Sequence, residues 1–511
     1  MISRQTAKPI KLLVLAVMLL LATACNRHPE VPDHAIMSDE EVSILPDYRE
    51  VTIPVNIAPL NFSIQGDSIE QCIASFRAGT LSYDYGNGHK VVIDAEEWHE
   101  LLHEAQDNQI TVQLYTQANG IWREHPSFSI FVSGDSIDPY IAYRLIPPYN
   151  TYERISLCYR ELSTFEEKEF YNNQMLDAPQ GGHCVNCHAF QNYRTERMQF
   201  HVREEFGSTI IADQGTIAKH NMKRPETISS GVYPAWHPSL DLIAYSTNNS
   251  FMEFHTDGLC KSEVQDSRSD LILYDVRKKE VITICNDSAL METFPAWSPD
   301  GKWLYYSVAD YCADSITLQL ATDETHRRIG RQHNVTNHYR DVRYNLCRRS
   351  FDAETRTFGE PELILDAASD SLSATLPRIS PDGKWLLTCI GEYGCFHIYH
   401  PESDLYVMPL DGDSIHTAIP LTEANSTSAD SYHNWSSNGR WIVFQSRRRD
   451  DNYTRLYFAY FDREGKAHKA FEMPQSNPDY ELFNLRSYNI PEFIIEPIRI
   501  SAADFASVIA Q

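Results

Sequence analysis

Positive charge is scarce in this chain. Its 511 residues carry 44 Lys and Arg against 70 Asp and Glu, a net charge of −26. Such a surface repels nucleic-acid phosphates and anionic lipid heads, so a nucleic-acid partner is excluded. No G-x-S-x-G segment occurs, which removes the usual serine-hydrolase elbow. No second C-x-x-C or close H-x-x-x-H follows the pair at Cys184 and Cys187, so a zinc-finger set is incomplete. No βαβ pattern surrounds that pair to house a thioredoxin-type dithiol. The apolar run Leu12 to Ala22 has 11 residues, too few to span a bilayer permanently.

What the N-terminus does have reads as an export signal. Arg4, Lys8 and Lys11 precede the apolar run. Leu21-Ala22-Thr23-Ala24-Cys25 then has the form of a bacterial lipobox, with Cys25 as the lipidated first residue of the mature chain. Residues 1–24 are thus a lipoprotein signal peptide, and 25–45, with Pro29 and Pro32 and no hydrophobic period, a tether. The expected location is the cell envelope, at the outer membrane facing the periplasm. The mature chain would keep 487 of 511 residues, room for two or three domains, and carry a charge of −29.

Cys184-Val-Asn-Cys187-His188 is C-x-x-C-H, the attachment pattern for a c-type haem. Two thiols can add to the vinyl groups of one porphyrin, and His188 can bind its iron from one face. The expectation is one covalent haem c per chain, held by Cys184, Cys187 and His188. His201 or Met198 is the candidate distal ligand; on a strand the two would face opposite ways. His237 and His255 are further candidates, and His183 lies too close to Cys184 to reach across the ring. A zinc half-site, a redox dithiol or a disulfide are the plainer alternatives. Eight other cysteines (Cys72, Cys158, Cys260, Cys285, Cys312, Cys347, Cys389 and Cys395) permit disulfides in an oxidising compartment or stay as buried thiols.

His99-Glu-Leu-Leu-His103 matches the zinc-protease pattern H-E-x-x-H. A third ligand is missing: Gln106 and Gln109 stand where a metzincin continues, and Glu124 sits between strand-like runs. Trp98, Leu101, Leu102 and Ala105 form an apolar stripe at helical spacing, so the helix packs that stripe and leaves both histidines wet. Asp94 is its expected N-cap, with Glu97 three residues on.

The broadest pattern is a repeat. Tyr233-Pro-Ala-Trp236-His-Pro returns as Phe294-Pro-Ala-Trp297-Ser-Pro-Asp-Gly301-Lys-Trp, as Leu376-Pro-Arg-Ile379-Ser-Pro-Asp-Gly383-Lys-Trp and as Tyr432-His-Asn-Trp435-Ser-Ser-Asn-Gly439-Arg-Trp. Pro presets φ, Asp or Asn caps the turn, Gly takes positive φ, and an alternating apolar strand follows. Short strands in repeating units signal propeller blades. The longest interval needs an insertion within Asp310 to His338. Before the haem motif, residues 46–163 form a β-sandwich-like domain with one helix. Residues 164–215 are the haem-binding segment, and 216–511 the propeller, with at least four blades and material for five or six.

The S-P-D-G-K turns resemble the TolB-like β-propellers. Cys184-Val-Asn-Cys-His-Ala-Phe, Met198-Gln-Phe-His-Val-Arg203, Arg224 to Pro238, Ser269 to Asp275, Tyr453 to Phe461 and Ser487 to Glu492 resemble lipoproteins of the Bacteroidetes that join a C-x-x-C-H segment to such a propeller. Glu204-Glu-Phe-Gly207 replaces the Gly-rich stretch of that pattern. The resemblance implies an all-β architecture and haem, not a substrate. Three functions follow. The first is a membrane-anchored monohaem electron-transfer or redox module. The second is a non-enzymatic scaffold that binds a protein on the propeller face, with structural or sensory haem. The third, an enzyme, would need an open iron and peroxidase-type chemistry.

Overall fold

The computed structural model describes residues 28–511 apart from 67, 149–152, 178–181, 256, 257, 259, 311–337 and 411–416. Cys25, Cys312 and the body of the expected insertion therefore lie outside the described residues. The chain is all-β. Six antiparallel sheets form the six blades of a propeller. The inner strands are Ser487–Ile494 (blade 1), Val185–Gln191 (blade 2), Val232–Trp236 (blade 3), Leu290–Trp297 (blade 4), Ser373–Ile379 (blade 5) and Asp430–Trp435 (blade 6). Each packs on the next and the sixth on the first, so the ring closes.

Blade 1 makes that closure. Its inner strand comes from the C-terminus and pairs with Tyr140–Ile146, which pairs with Ser156–Glu161 and then Glu167–Asn172. This moves the expected boundaries. Tyr140 to Glu161 had been assigned to the N-terminal domain and 164–215 to a haem segment. The pairing makes them blades 1 and 2, because a sheet joined from both chain ends leaves no local repeat to read.

Every inner strand has the same irregularity. Cys187, Tyr233, Phe294, Leu376, Tyr432 and Ile490 all have φ between 46° and 57°. Each is followed by Pro or His and sits in a β-bulge. A bulge at this point re-aims the next side chains toward the central channel. The repeated turns then close each hairpin: Ser298, Ser380 and Ser436 accept the amides of Gly301, Gly383 and Gly439 through their carbonyls, at 2.8–2.9 Å. Gly301 has φ +71°, the left-handed region that favours glycine. Tryptophans stitch blade to blade: Trp297 Nε1 donates to the carbonyl of Ala235 and Trp435 Nε1 to that of Arg378, both at 3.1 Å.

The N-terminal unit has a seven-stranded and a three-stranded sheet with one helix, Ala95–Glu104. Asp94 caps this helix through the amides of Glu96 and Glu97. Trp98, Leu101 and Leu102 are buried, while His99 and His103 are exposed. One continuous core joins this unit to blade 6 through Trp441, Val443, Leu456 and Phe458. Trp441 Nε1 also donates to the carbonyl of Asp135. Among the described residues all nine cysteines are free thiols. Cys389 and Cys395, six residues apart, lie in different packed clusters. No helix among the described residues is long and apolar enough to cross a membrane.

Candidate functional site

The six bulges align one side chain from each blade in a single layer around the axis. In order, that layer is Ala189, Ala235, Ala296, Arg378, Asn434 and Glu492. All six line one cavity of about 320 Å³ at the end of the channel where the inner strands finish. Three neighbouring blades give alanine, and the other three give a cation, an amide and an acid. Tyr233, Trp236, Trp297, Tyr432 and a run of prolines complete the wall. A concave cavity with aromatic and aliphatic walls and a few convergent polar groups is a usual form of ligand site.

The polar half is electrostatically poised. Glu492 Oε1 accepts the amide of Phe190 at 3.0 Å, and burial pushes its pKa up to about 8. It is therefore mostly neutral at pH 7. Burial lowers the pKa of Arg378, whose Nη1 donates to the carbonyl of Pro377. Among the described residues no carboxylate lies within ion-pairing distance of Arg378. A guanidinium always carries its charge in proteins, so the cavity presents one cation facing a protonated acid.

The haem motif enters the same channel as a blade element. Cys187-His188-Ala189-Phe190 occupies the place of Tyr233-Pro-Ala-Trp236 and of Tyr432-His-Asn-Trp435. Cys187 lines the channel, and Gln199 donates its side-chain amide to the Cys187 carbonyl. Cys184 does not line it; its thiol packs against the core between blades 1 and 2. Cys184 precedes the strand, whereas Cys187 sits in the bulge that turns side chains toward the channel.

His188 is 2 % exposed, and burial drops its pKa to about 3. Its ring lies beside Ala142 and Ile490 of blade 1, with neither nitrogen at hydrogen-bond geometry. The matching His433 of blade 6 places Nε2 2.8 Å from the Leu376 carbonyl. An imidazole is thus an ordinary occupant of this position.

The distal candidates separate too. His201 bonds Thr209 through Nδ1 at 2.8 Å and packs on Tyr245 of blade 3, on the other side of blade 2 from His188. Met198 is fully buried in the core between blades 1 and 2. His183 packs on Phe206, His237 sits in the blade 3 turn near Gly301, and His255 lies at a distant hairpin tip. In this structure the two thiols face different spaces, and no distal candidate stands across from His188. His99 and His103 gain no third ligand among the described residues.

Sequence reasoning missed Arg378, Asn434 and Glu492. Arg378 and Asn434 were visible as the polar third letters of Leu-Pro-Arg-Ile and Tyr-His-Asn-Trp, where the other clear repeats have alanine. Glu492 required recognising Ile490-Pro-Glu-Phe493 as a sixth copy.

No family model matches the sequence, and no curated protein matches it. Among solved structures it is similar to a TolB-type protein of Agrobacterium tumefaciens (12 % identity, 64 % of this chain and 100 % of that one, TM-score 0.33). It is also similar to the β-propeller domain of the trilobed protease of Pyrococcus furiosus (11 %, 68 % and 78 %, 0.31). A third is prolyl oligopeptidase B of Galerina marginata (10 %, 70 % and 42 %, 0.35), of which the chain spans less than half. Likeness at these levels adds nothing to the sheet topology, which makes this chain a six-bladed β-propeller with an N-terminal β domain.

Proposed function

We propose that this is a non-catalytic binding propeller, held at the cell envelope through Cys25, whose channel mouth receives a ligand bearing a carboxylate. The observation that carries this reading is the divided ring: alanines from blades 2 to 4 face Arg378, Asn434 and Glu492. An apolar body would lie on the alanine and aromatic side, and the anion would pair with Arg378. The cavity is at the small end of ligand pockets, which suits a peptide terminus or a small acid. Haem has no part in this reading.

The test is isothermal titration with short peptides ending in a free or an amidated carboxyl group. Free-acid peptides bind, and Arg378→Ala weakens them by ~10-fold or more, the worth of a charge-assisted hydrogen bond. Equal binding of both peptide forms sinks the proposal. A separate result is expected from protein exported in a host with haem-attachment machinery. It shows no reduced α-band, and both Cys184 and Cys187 react with a thiol reagent after unfolding. A haem spectrum lost in Cys184→Ser would restore the redox reading.

A further inference from the structure

The second and third strands of blade 3, Leu242–Phe254 and Ser262–Asp275, are far longer than those of the other blades. Ser246 already stands opposite Val232, the first residue of the inner strand. Everything beyond it projects from the face opposite the cavity described above. His255 closes this hairpin, its amide donating to the Lys261 carbonyl at 3.0 Å. The hairpin leans across to blade 5, where Glu263 meets His400 and Tyr393.

We propose that His255, Cys260 and Glu263 form a binding site for a divalent transition metal, zinc by preference. Their ligand atoms all lie within 4.8 Å of one another. Cys260 Sγ is 4.0 Å from Glu263 Oε2. Metal–ligand bonds of about 2.0–2.3 Å place tetrahedral ligands ~3.5 Å apart, so closure asks for a shift of about an ångström. Imidazole, thiolate and carboxylate together suit Zn²⁺ or Co²⁺ and disfavour Mg²⁺ and Ca²⁺. Three protein ligands leave a fourth position for water.

The surroundings are those of a supported ligand. Glu263 is 1 % exposed, and His400 Nε2 lies 3.1 and 3.3 Å from its two oxygens. The Tyr393 hydroxyl donates to Glu263 at 3.4 Å. Hydrogen bonds from a second layer orient metal-binding carboxylates in this way. His400 is also 1 % exposed, with Glu402 3.7 Å from Nδ1. Bound metal would clasp the blade 3 hairpin to blade 5 through the Glu263–His400 pair. This site is independent of the channel mouth and of the C-x-x-C-H segment.

The experiment uses the full chain carrying Cys184→Ser and Cys187→Ser, stripped with a chelator and titrated with Co²⁺. One equivalent binds, with a thiolate-to-cobalt band in the near ultraviolet and the intense visible bands of a tetrahedral ion. Zn²⁺ displaces it. Cys260→Ser abolishes the thiolate band. His400→Ala, which keeps all three ligands, weakens cobalt binding ~10–100-fold. Unchanged circular dichroism certifies the fold of each variant. Absence of the band in folded protein overturns the proposal, and so does a band that survives Cys260→Ser.

Discussion

Removing residues 487–511 abolishes cooperative folding, read as loss of the sigmoidal urea transition in tryptophan fluorescence. The deletion takes the inner strand of blade 1 and exposes the edge of Tyr140–Ile146 and the flank of blade 6. It also uncovers Tyr143, whose ring packs on Tyr488 at 5.1 Å. A graded version separates closure from bulk loss of chain. Phe493 is fully buried in the core shared by the N-terminal unit, blade 1 and blade 6. Phe493→Ala costs about 3–5 kcal/mol, the range for emptying a packed aromatic site. Phe483→Ala, at a side chain 78 % exposed, stays within about 0.5 kcal/mol of the parent. A truncated chain that unfolds with the parent midpoint would show that the ring does not depend on its last strand.

Stability falls as pH rises above neutrality, and Glu492 is one source of that fall. Its folded pKa of about 8 stands above the ordinary 4.5. Between those values the unfolded chain binds fewer protons than the folded one, so stability falls as pH rises. The contribution is whole below about pH 4.5 and gone once pH passes 8. Glu292, raised to about 7, and Asp404, raised to about 6, act in the same direction. Buried histidines oppose them. His188, His201, His397 and His433 are all held near 3 instead of 6.5, so their contribution is present above 6.5 and drains away as pH falls. Glu492→Gln removes one term alone. Relative to the parent, the variant gains about 2–4 kcal/mol between pH 5 and pH 9. Urea titrations at those two pH values measure it, and parallel profiles would refute the assignment. The same ionisation sets a negative charge opposite Arg378, so carboxylate peptides bind more weakly above pH 8 in the parent and not in the variant. Cys187, His188, Tyr233 and Tyr432 also border this space. His188 is already neutral, and burial keeps both tyrosines protonated throughout that range.

Four blades were legible because proline, aspartate and glycine must sit at fixed places in their turns. The N-terminal helix was legible for a similar reason: Asp94 and the apolar stripe obey one period. Blade 1 was hidden, and blade 2 showed only as the short apolar runs of Met198 to Asn221, which offered a fifth blade. Blade 1 is assembled from segments at both ends of the chain, and nothing local announces that pairing. The inner strand of blade 2 was concealed by its own chemistry. Cys187-His188 fills the bulge that Tyr-Pro or Tyr-His fills elsewhere, and five letters of haem signature outweighed a four-letter repeat. Aligning Cys-His-Ala-Phe with Tyr-Pro-Ala-Trp reads the same four residues as the inner strand of a blade. The metal trio was half visible: His255 was noticed only as an iron ligand, while Glu263 depends on a hairpin length that the local pattern did not reveal.

The register of Tyr140 against Ile494 has a kinetic meaning. A ribosome must add every residue between Tyr140 and Ile494 before the first blade receives its missing strand. Until then five sheets can condense while the sixth keeps bare amides and carbonyls along one margin, a template for stray β-pairing. Loop closure over such a separation is slow, so the final docking step is expected to limit refolding. Late sealing of this kind leaves the ring open until its closing strand has been made.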